Sequence, residues 1–197
     1  MQTSPLVLAS TSQIRQSLLR NAGLKFQICQ PQVDEEQLKD QNPDLTPLEL
    51  ASLLARAKAL AVTAPAKTLV IGADQVLELD GRSLDKVSSM ALARTRLLQL
   101  RGRKHYLVGA VVLAKDSKII WEQDHRSQLQ MRDFSDYALE AYLEQAGERI
   151  LASVGCYELE KEGIGLFDAV GPDHFAMLGL ALLPVLDALR TYGGLRS

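Results

Sequence analysis

The sequence predicts an α/β fold with a mixed twisted sheet flanked by helices. Three observations carry this. Short apolar runs suited to buried strands, Leu6-Val7-Leu8-Ala9 and Leu69-Val70-Ile71, alternate with stretches of helical periodicity. Those helical stretches begin at Ser, Thr or Pro and several close on Gly. Asp80-Gly81, between alternating apolar residues, is the strongest two-residue hairpin signal available. At 197 residues, 47% apolar and 23% charged, the chain has an ordinary globular balance and can bury a sizeable core, as one large domain or two small lobes.

The first strand, ending at Ala9, runs into three hydroxyl residues, Ser10-Thr11-Ser12. A helix then starts, with Ile14, Leu18 and Ala22 at four-residue spacing and Gly23 as its stop. A buried strand that turns through small hydroxyls into a helix exposes backbone N–H groups, with the positive end of the helix dipole behind them. Arg15 falls in the first turn of that helix. The unit reads as a phosphate site, although an ordinary Ser-capped helix has the same local pattern. It is not a Walker loop, because Gly-x-x-x-x-Gly-Lys is absent from the chain.

Asp34 to Pro47, rich in Asp, Glu, Gln and Pro, reads as a polar loop with room for one short turn. Thr46 caps the next helix, Pro47 suits its first position and Glu49 completes a Thr-x-x-Glu capping box. Leu50, Leu53, Leu54 and Ala57 form its apolar stripe. The strand of Leu69-Val70-Ile71 ends at Gly72-Ala73-Asp74, and alternation through Val76, Leu77 and Leu79 leads into the hairpin. Ser88 or Ser89 caps a helix reaching Leu100, closed by Gly102. Residues 106 to 131 form two long strands around Lys115-Asp116-Ser117-Lys118. Ser135 opens a helix with Leu139, Tyr142, Leu143 and Ala146 on one face and Gly147 as its stop. The last third combines Gly-rich strand pieces with a final helix from about Pro184 to Tyr192.

Net charge is −2 without a basic run, which argues against an extended nucleic-acid surface but permits a small anionic substrate. The N-terminus has no basic n-region before a long apolar stretch, and no apolar run has the length of a membrane span. Cys29 and Cys156 lie far apart and form no Cys-x-x-Cys, which suits a reducing cytoplasm. His105, His125 and His174 lack zinc spacing, and neither Gly-x-Ser-x-Gly nor Gly-x-Gly-x-x-Gly occurs.

The chemistry therefore rests on carboxylates and lysines. Asp74, after an apolar strand, is expected at the carboxyl edge of the sheet, where α/β folds place ligands. A two-residue turn at Asp80-Gly81 sets Gln75 opposite Lys86 and Asp74 opposite Val87, so Lys86 and Asp85 are expected close to Asp74. Such an acid and lysine can hold a metal and a phosphate together, or be a surface ion pair worth little. Glu35 lies in an acidic group with Asp34 and Glu36, which solvation alone would explain. Lys58, at the edge of a helix stripe, can snorkel to solvent or reach into a cleft. Without thiolate or imidazole clusters, the ion of choice is hard, Mg²⁺ or Mn²⁺, bound together with substrate phosphates.

These residues resemble, almost end to end, the Maf family of nucleoside triphosphate pyrophosphatases. Leu8 to Leu19 is similar to the family's Leu-Ala-Ser-x-Ser-x-x-Arg-x-x-Leu-Leu. Val33-Asp34-Glu35 matches its acidic pair, Ala57-Lys58-Ala59 its helix lysine, and Gly72-Ala73-Asp74-Gln75-Val76 the element carrying the catalytic aspartate. Arg101-Gly102-Arg103-Lys104-His105, Gly155-Cys156-Tyr157, Gly163 and Gly179-Leu180-Ala181-Leu182 continue the match. Ile14 stands where the family has a second arginine, Gln75 replaces a frequent threonine, Asp85-Lys86-Val87 replaces Gly-Lys-Pro, and Gly109 stands where Thr is common.

The resemblance implies one Maf-like domain over residues 1–197, related to inosine triphosphatases, with two lobes around a cleft. It implies hydrolysis of nucleoside triphosphates to the monophosphate and pyrophosphate. Ser10, Ser12, Arg15, Lys58 and Lys86 would bind phosphate, Glu35 and Asp74 the metal, and Asp74 would also position or deprotonate the water. It allows a homodimer and implies a cytoplasmic protein that engages neither nucleic acid nor membrane. The competing reading is a nucleotide-binding regulator of cell division and septum formation with little hydrolysis. Gly109 in place of Thr is expected to enlarge the base pocket, so that hydrolysis is not confined to dTTP and UTP.

Overall fold

A computed structural model describes residues 2–196. Leu6–Leu8 forms β1, Gln13–Asn21 α1, Gln27–Ile28 β2, Glu35–Asp40 α2 and Pro47–Leu60 α3. Leu69–Leu79 forms β3, Arg82–Leu84 β4, Met90–Leu100 α4, Lys104–Lys115 β5 and Lys118–Met131 β6. Asp136–Ala146 is α5, Phe167–Ala169 β7, His174–Met177 α6 and Leu182–Thr191 α7, with 3₁₀ turns at Gly147–Ala152 and Glu162–Leu166. The seven strands share one sheet in the order β2-β1-β3-β5-β6-β7, with β4 also paired to β3. β1 runs parallel to β2 and β3, and the remaining pairs are antiparallel.

The local signals explain most element boundaries. Ser12, Thr46, Ser89 and Ser135 each accept a backbone N–H from the first turn of their helix, and Thr46 with Glu49 forms the complete capping box. Asp80 and Gly81 both take positive φ, as a primed hairpin turn requires, and so do Asp116 and Ser117 between β5 and β6. Three expectations are corrected. The acidic loop contains a true helix, α2, because Asp34 caps it through Oδ1 and Gln37 N at 2.9 Å. β3 does not end at Asp74 but continues to Leu79, since β5 pairs with it residue by residue from Leu69 to Glu78. In the last third a single short strand, β7, forms, because β6 is paired there only at Gln130 and Met131.

Side chains alternate across β3 and β5, which divides the molecule into layers. Val70, Val76, Val108, Ala110 and Val112 pack under α3 against Ala51, Leu54, Ala55 and Ala59. On the other face two cores sit side by side. Ile71, Ala73, Val111 and Leu113 meet α1 and α7, while Leu77, Leu79 and Leu107 meet α4 and α5. Between these cores lies the cross-strand row Gln75, Gly109, His125. Among the described residues no helix is long and apolar enough to cross a membrane.

Gly72 sets how closely α3 rests on β3. A Cβ there would lie 2.4 Å from the Ala55 carbonyl oxygen and 2.7 Å from Ala59 Cβ. Gly72→Ala is therefore expected to lower stability by about 1–3 kcal/mol through overpacking, read as a drop in melting temperature. An unchanged melting temperature would contradict this packing.

His105 is fully buried, with Nε2 3.0 Å from the Tyr157 hydroxyl and the rings of Tyr157 and Phe167 beside it. Burial lowers its pKa to about 4. An unfolded histidine titrates near 6.5, so the contribution of His105 is complete above that pH and is lost as the pH falls toward 4. At ~1.4 kcal/mol per unit the loss approaches about 3 kcal/mol. Chemical denaturation between pH 7 and 4 is expected to show a shallower decline for His105→Phe than for the wild type.

Candidate active site

β1 pairs Leu8 with Ile71 and then leaves the sheet, while β3 runs on. The Ser10–Ser12 turn therefore lies at the carboxyl end of β1, beside the stretch of β3 that carries Asp74. This restores the sheet-edge logic for Asp74 even though its own strand continues. Ser10 Oγ accepts from Ser12 N at 3.2 Å and from Arg15 Nη1 at 3.3 Å, and Ser12 Oγ accepts from Arg15 N at 3.5 Å. Gln13 and Ile14, at the start of α1, carry N–H groups for which the helix itself has no acceptor.

Lys58 stands in the last turn of α3, next to the Ala59 that rests on Gly72. Its Nζ lies 2.5 Å from Asp74 Oδ1 and 2.8 Å from Glu35 Oε1. Lys58 and Asp74 are only 9% and 7% exposed, whereas the Glu35 side chain is 44% exposed. The ion pair thus has a buried floor, Lys58 with Asp74, and an open rim at Glu35. Removing either partner from such a floor leaves an uncompensated charge, which explains why the three residues occur as a set.

Arg15 is oriented from the other side of the sheet. Its Nε donates to the Gly179 carbonyl at 2.8 Å. Gly179 has φ +94, and a Cβ there would meet the guanidinium at 3.4 Å. Burial lowers the Arg15 pKa, with Asp74 and then Glu35 opposing the shift; an arginine stays charged at neutral pH regardless. Gln75 holds the same segment, its Nε2 donating to the carbonyls of Ala176 at 2.9 Å and Met177 at 3.3 Å.

Ser10, Ser12, Arg15, Glu35, Lys58 and Asp74 thus converge. Lys86 does not join them. The hairpin register is as expected for Leu77↔Leu84, Glu78↔Ser83 and Leu79↔Arg82, but pairing stops there, so the facing of Gln75 with Lys86 does not form. Lys86 is exposed, and its neighbour Asp85 is ion-paired with Lys39 of α2 instead of approaching Asp74. Sequence reasoning passed over Lys39 and the Gly179 carbonyl. The spacing of Lys39 one helical turn after Glu35 was the available signal for the first; none existed for the second.

Among the described residues no three His, Cys, Asp or Glu side chains gather to hold a metal unaided. Glu35 and Asp74 nevertheless meet at one ammonium, and both are hard oxygen donors. That donor set fits a Mg²⁺ or Mn²⁺ ion whose remaining ligands come from substrate phosphates and water.

A family model described as Maf-like protein matches residues 5–192. The chain belongs to this family. It is 48% identical over 197 residues to a protein of Caulobacter vibrioides called nucleoside triphosphate pyrophosphatase, covering 99% of each chain. A protein of the same name from Maricaulis maris is 44% identical over 192 residues, covering 97% of this chain and 98% of that one. Among solved structures, a HAM1 protein from Coxiella burnetii aligns loosely, at 18% identity and a TM-score of 0.40, over 66% of this chain and 74% of that one.

One expectation for this Maf-like chain is reversed by the packing. Gly109 does not enlarge a pocket, because the His125 ring fills the space above it. A Cβ at Gly109 would lie 2.6 Å from His125 Cε1 and Nε2 and 2.8 Å from the Asp74 carbonyl oxygen. Both His125 ring nitrogens are buried without a hydrogen-bond partner, and burial lowers the pKa of the ring. Gly109→Ala is expected to lose about 1–3 kcal/mol by denaturant unfolding. The same change is expected to cost much less in a His125→Ala background, where the ring no longer occupies the notch. Equal costs in both backgrounds would contradict the Gly109–His125 contact.

Proposed function

We infer that this chain is a nucleoside triphosphate pyrophosphatase, a hydrolase that cleaves a phosphorus-containing anhydride. Water attacks the α-phosphorus, the bond from that phosphorus to the bridging oxygen breaks, and the monophosphate and pyrophosphate leave. The observation that supports this best is the Lys58 ammonium held between Asp74 and Glu35, beside the Ser10–Arg15 helix start. The full-length match to relatives of that name supports it independently.

The reaction asks for positioning and charge neutralisation more than for covalent chemistry. Ser10 and Ser12, with the free N–H groups of the α1 start, bind phosphate oxygens. Arg15 and Lys58 offset the charge that develops in the transition state. Asp74 gives Oδ1 to Lys58 and turns its second oxygen to the water, whose proton it accepts. Glu35 and Asp74 would hold a Mg²⁺ or Mn²⁺ ion, which when bound would supply further charge neutralisation on the triphosphate.

Pyrophosphate release from a panel of triphosphates with Mg²⁺ or Mn²⁺ tests the reading. Asp74→Asn is expected to reduce turnover by at least about 100-fold, the range for loss of a general base. It also lowers the melting temperature, since the buried Lys58 keeps only Glu35 as an anionic partner. Lys104→Ala, at an exposed strand start outside the site, is expected to leave the rate unchanged. An Asp74→Asn variant with half the wild-type rate would overturn the assignment.

A further inference from the structure

On helix α2, Glu35 and Lys39 lie one turn apart, which places them on the same face. Glu35 reaches inward to Lys58, and Lys39 reaches across to Asp85, the neighbour of Lys86 on the strand returning from the hairpin. No residue of α2 is fully buried. Beyond these two ion pairs, Leu38 packs against the cluster of Leu50, Ala51, Leu54, Val76 and Val108. The helix thus bridges from the Lys58–Asp74 floor to the hairpin, with Lys39 at the rim between them.

The charges at this site leave a polyanion short of partners. Arg15 and Lys58 are balanced by Asp74 and Glu35, so the floor is neutral. Asp85 adds a negative charge at the rim, on the exposed stretch after β4. Its side chain is 73% exposed and that of Lys39 is 32% exposed, so both are open to an incoming ligand. An ion pair so exposed contributes little to stability and is easily exchanged. A phosphate group offers Lys39 a stronger, charge-assisted partner than a single solvated carboxylate.

We propose that Lys39 is a further phosphate-binding residue, parked on Asp85 in the free protein and transferred to the terminal phosphates when a triphosphate enters. This rests on the pyrophosphatase reading of the same site. Asp85 then acts as a competitor for Lys39. It weakens substrate binding slightly and reclaims the lysine once pyrophosphate departs. An ion pair that serves only to hold α2 in place would behave differently. In that case removal of either partner would have the same effect.

The opposed signs make the test. Calorimetric titration of the full chain with inorganic pyrophosphate and Mg²⁺ is expected to give Lys39→Ala about 10-fold weaker binding than wild type, the scale of one charge-assisted contact. Asp85→Asn is expected to bind several-fold tighter, and Lys39→Arg to stay close to wild type. KM for a triphosphate follows the same order, while the affinity for the nucleoside monophosphate is the same in all four proteins. Equal weakening by Lys39→Ala and Asp85→Asn would overturn the proposal, as would pyrophosphate affinity unmoved by Lys39→Ala. If the wild type releases no pyrophosphate from any triphosphate, the functional reading fails, and the pyrophosphate titrations still decide the role of Lys39.

Discussion

The buried ammonium of Lys58, shared by Asp74 and Glu35, is the contact from which the rest of the site follows. A lysine this enclosed is tolerable only with anionic partners, and the equally enclosed Asp74 has its desolvation offset by the same cation. The pairing constrains the backbone as well as the side chains. α3 must sit close enough on β3 for Lys58 to reach Asp74, and the absent side chain at Gly72 permits that approach. α2 must fold over the site to deliver Glu35. Asp74 is therefore held by packing between a helix and a strand, which fixes its position.

A second constraint works from the opposite face of the sheet. Arg15 reaches the Gly179 carbonyl and Gln75 reaches those of Ala176 and Met177, so the segment around α6 is fastened to α1 and β3 by side chains. Next to this lies the seam where the two cores meet, with His125 lodged over Gly109. The seam contains Gln75 and Gly109, which face each other across β3 and β5. The glycine accommodates the histidine ring, and the glutamine amide ties down the segment alongside. What looked like a wider pocket is a different packing solution.

Several elements were legible in the residues alone because their signals are local. The Thr46–Glu49 capping box, the serine caps, the Asp80-Gly81 turn and the strand of Leu6 to Leu8 depend on neighbours within a few positions, and each took the form expected. The misread elements turned on strand pairing, on packing and, for α2, on a local cap that the reading passed over. Gly72-Ala73-Asp74 resembles a strand end until β5 pairs across it. The acidic stretch becomes α2 through the Asp34 cap and through Leu38, which packs against the cluster around Leu50 and Leu54. The hairpin register was right for three pairs, but extrapolation beyond Leu84 assumed a ladder that β4 does not continue.

By itself the sequence determined the chemical inventory: which residues carry charge and hydroxyl groups, which helices start where, and the family to which their order points. Local propensity and spacing suffice for that, since caps, turns and periodicity act over a few residues. Only the tertiary structure decided which charges meet. Lys58 with Glu35 and Asp74, Lys39 with Asp85, Arg15 with Gly179 and His125 with Gly109 are pairings between separate elements, set by how α3, α2 and the α6 turn pack on the sheet. Side-chain reach is only a few ångströms, whereas these partners stand far apart along the chain, so no spacing rule within the sequence could have matched them.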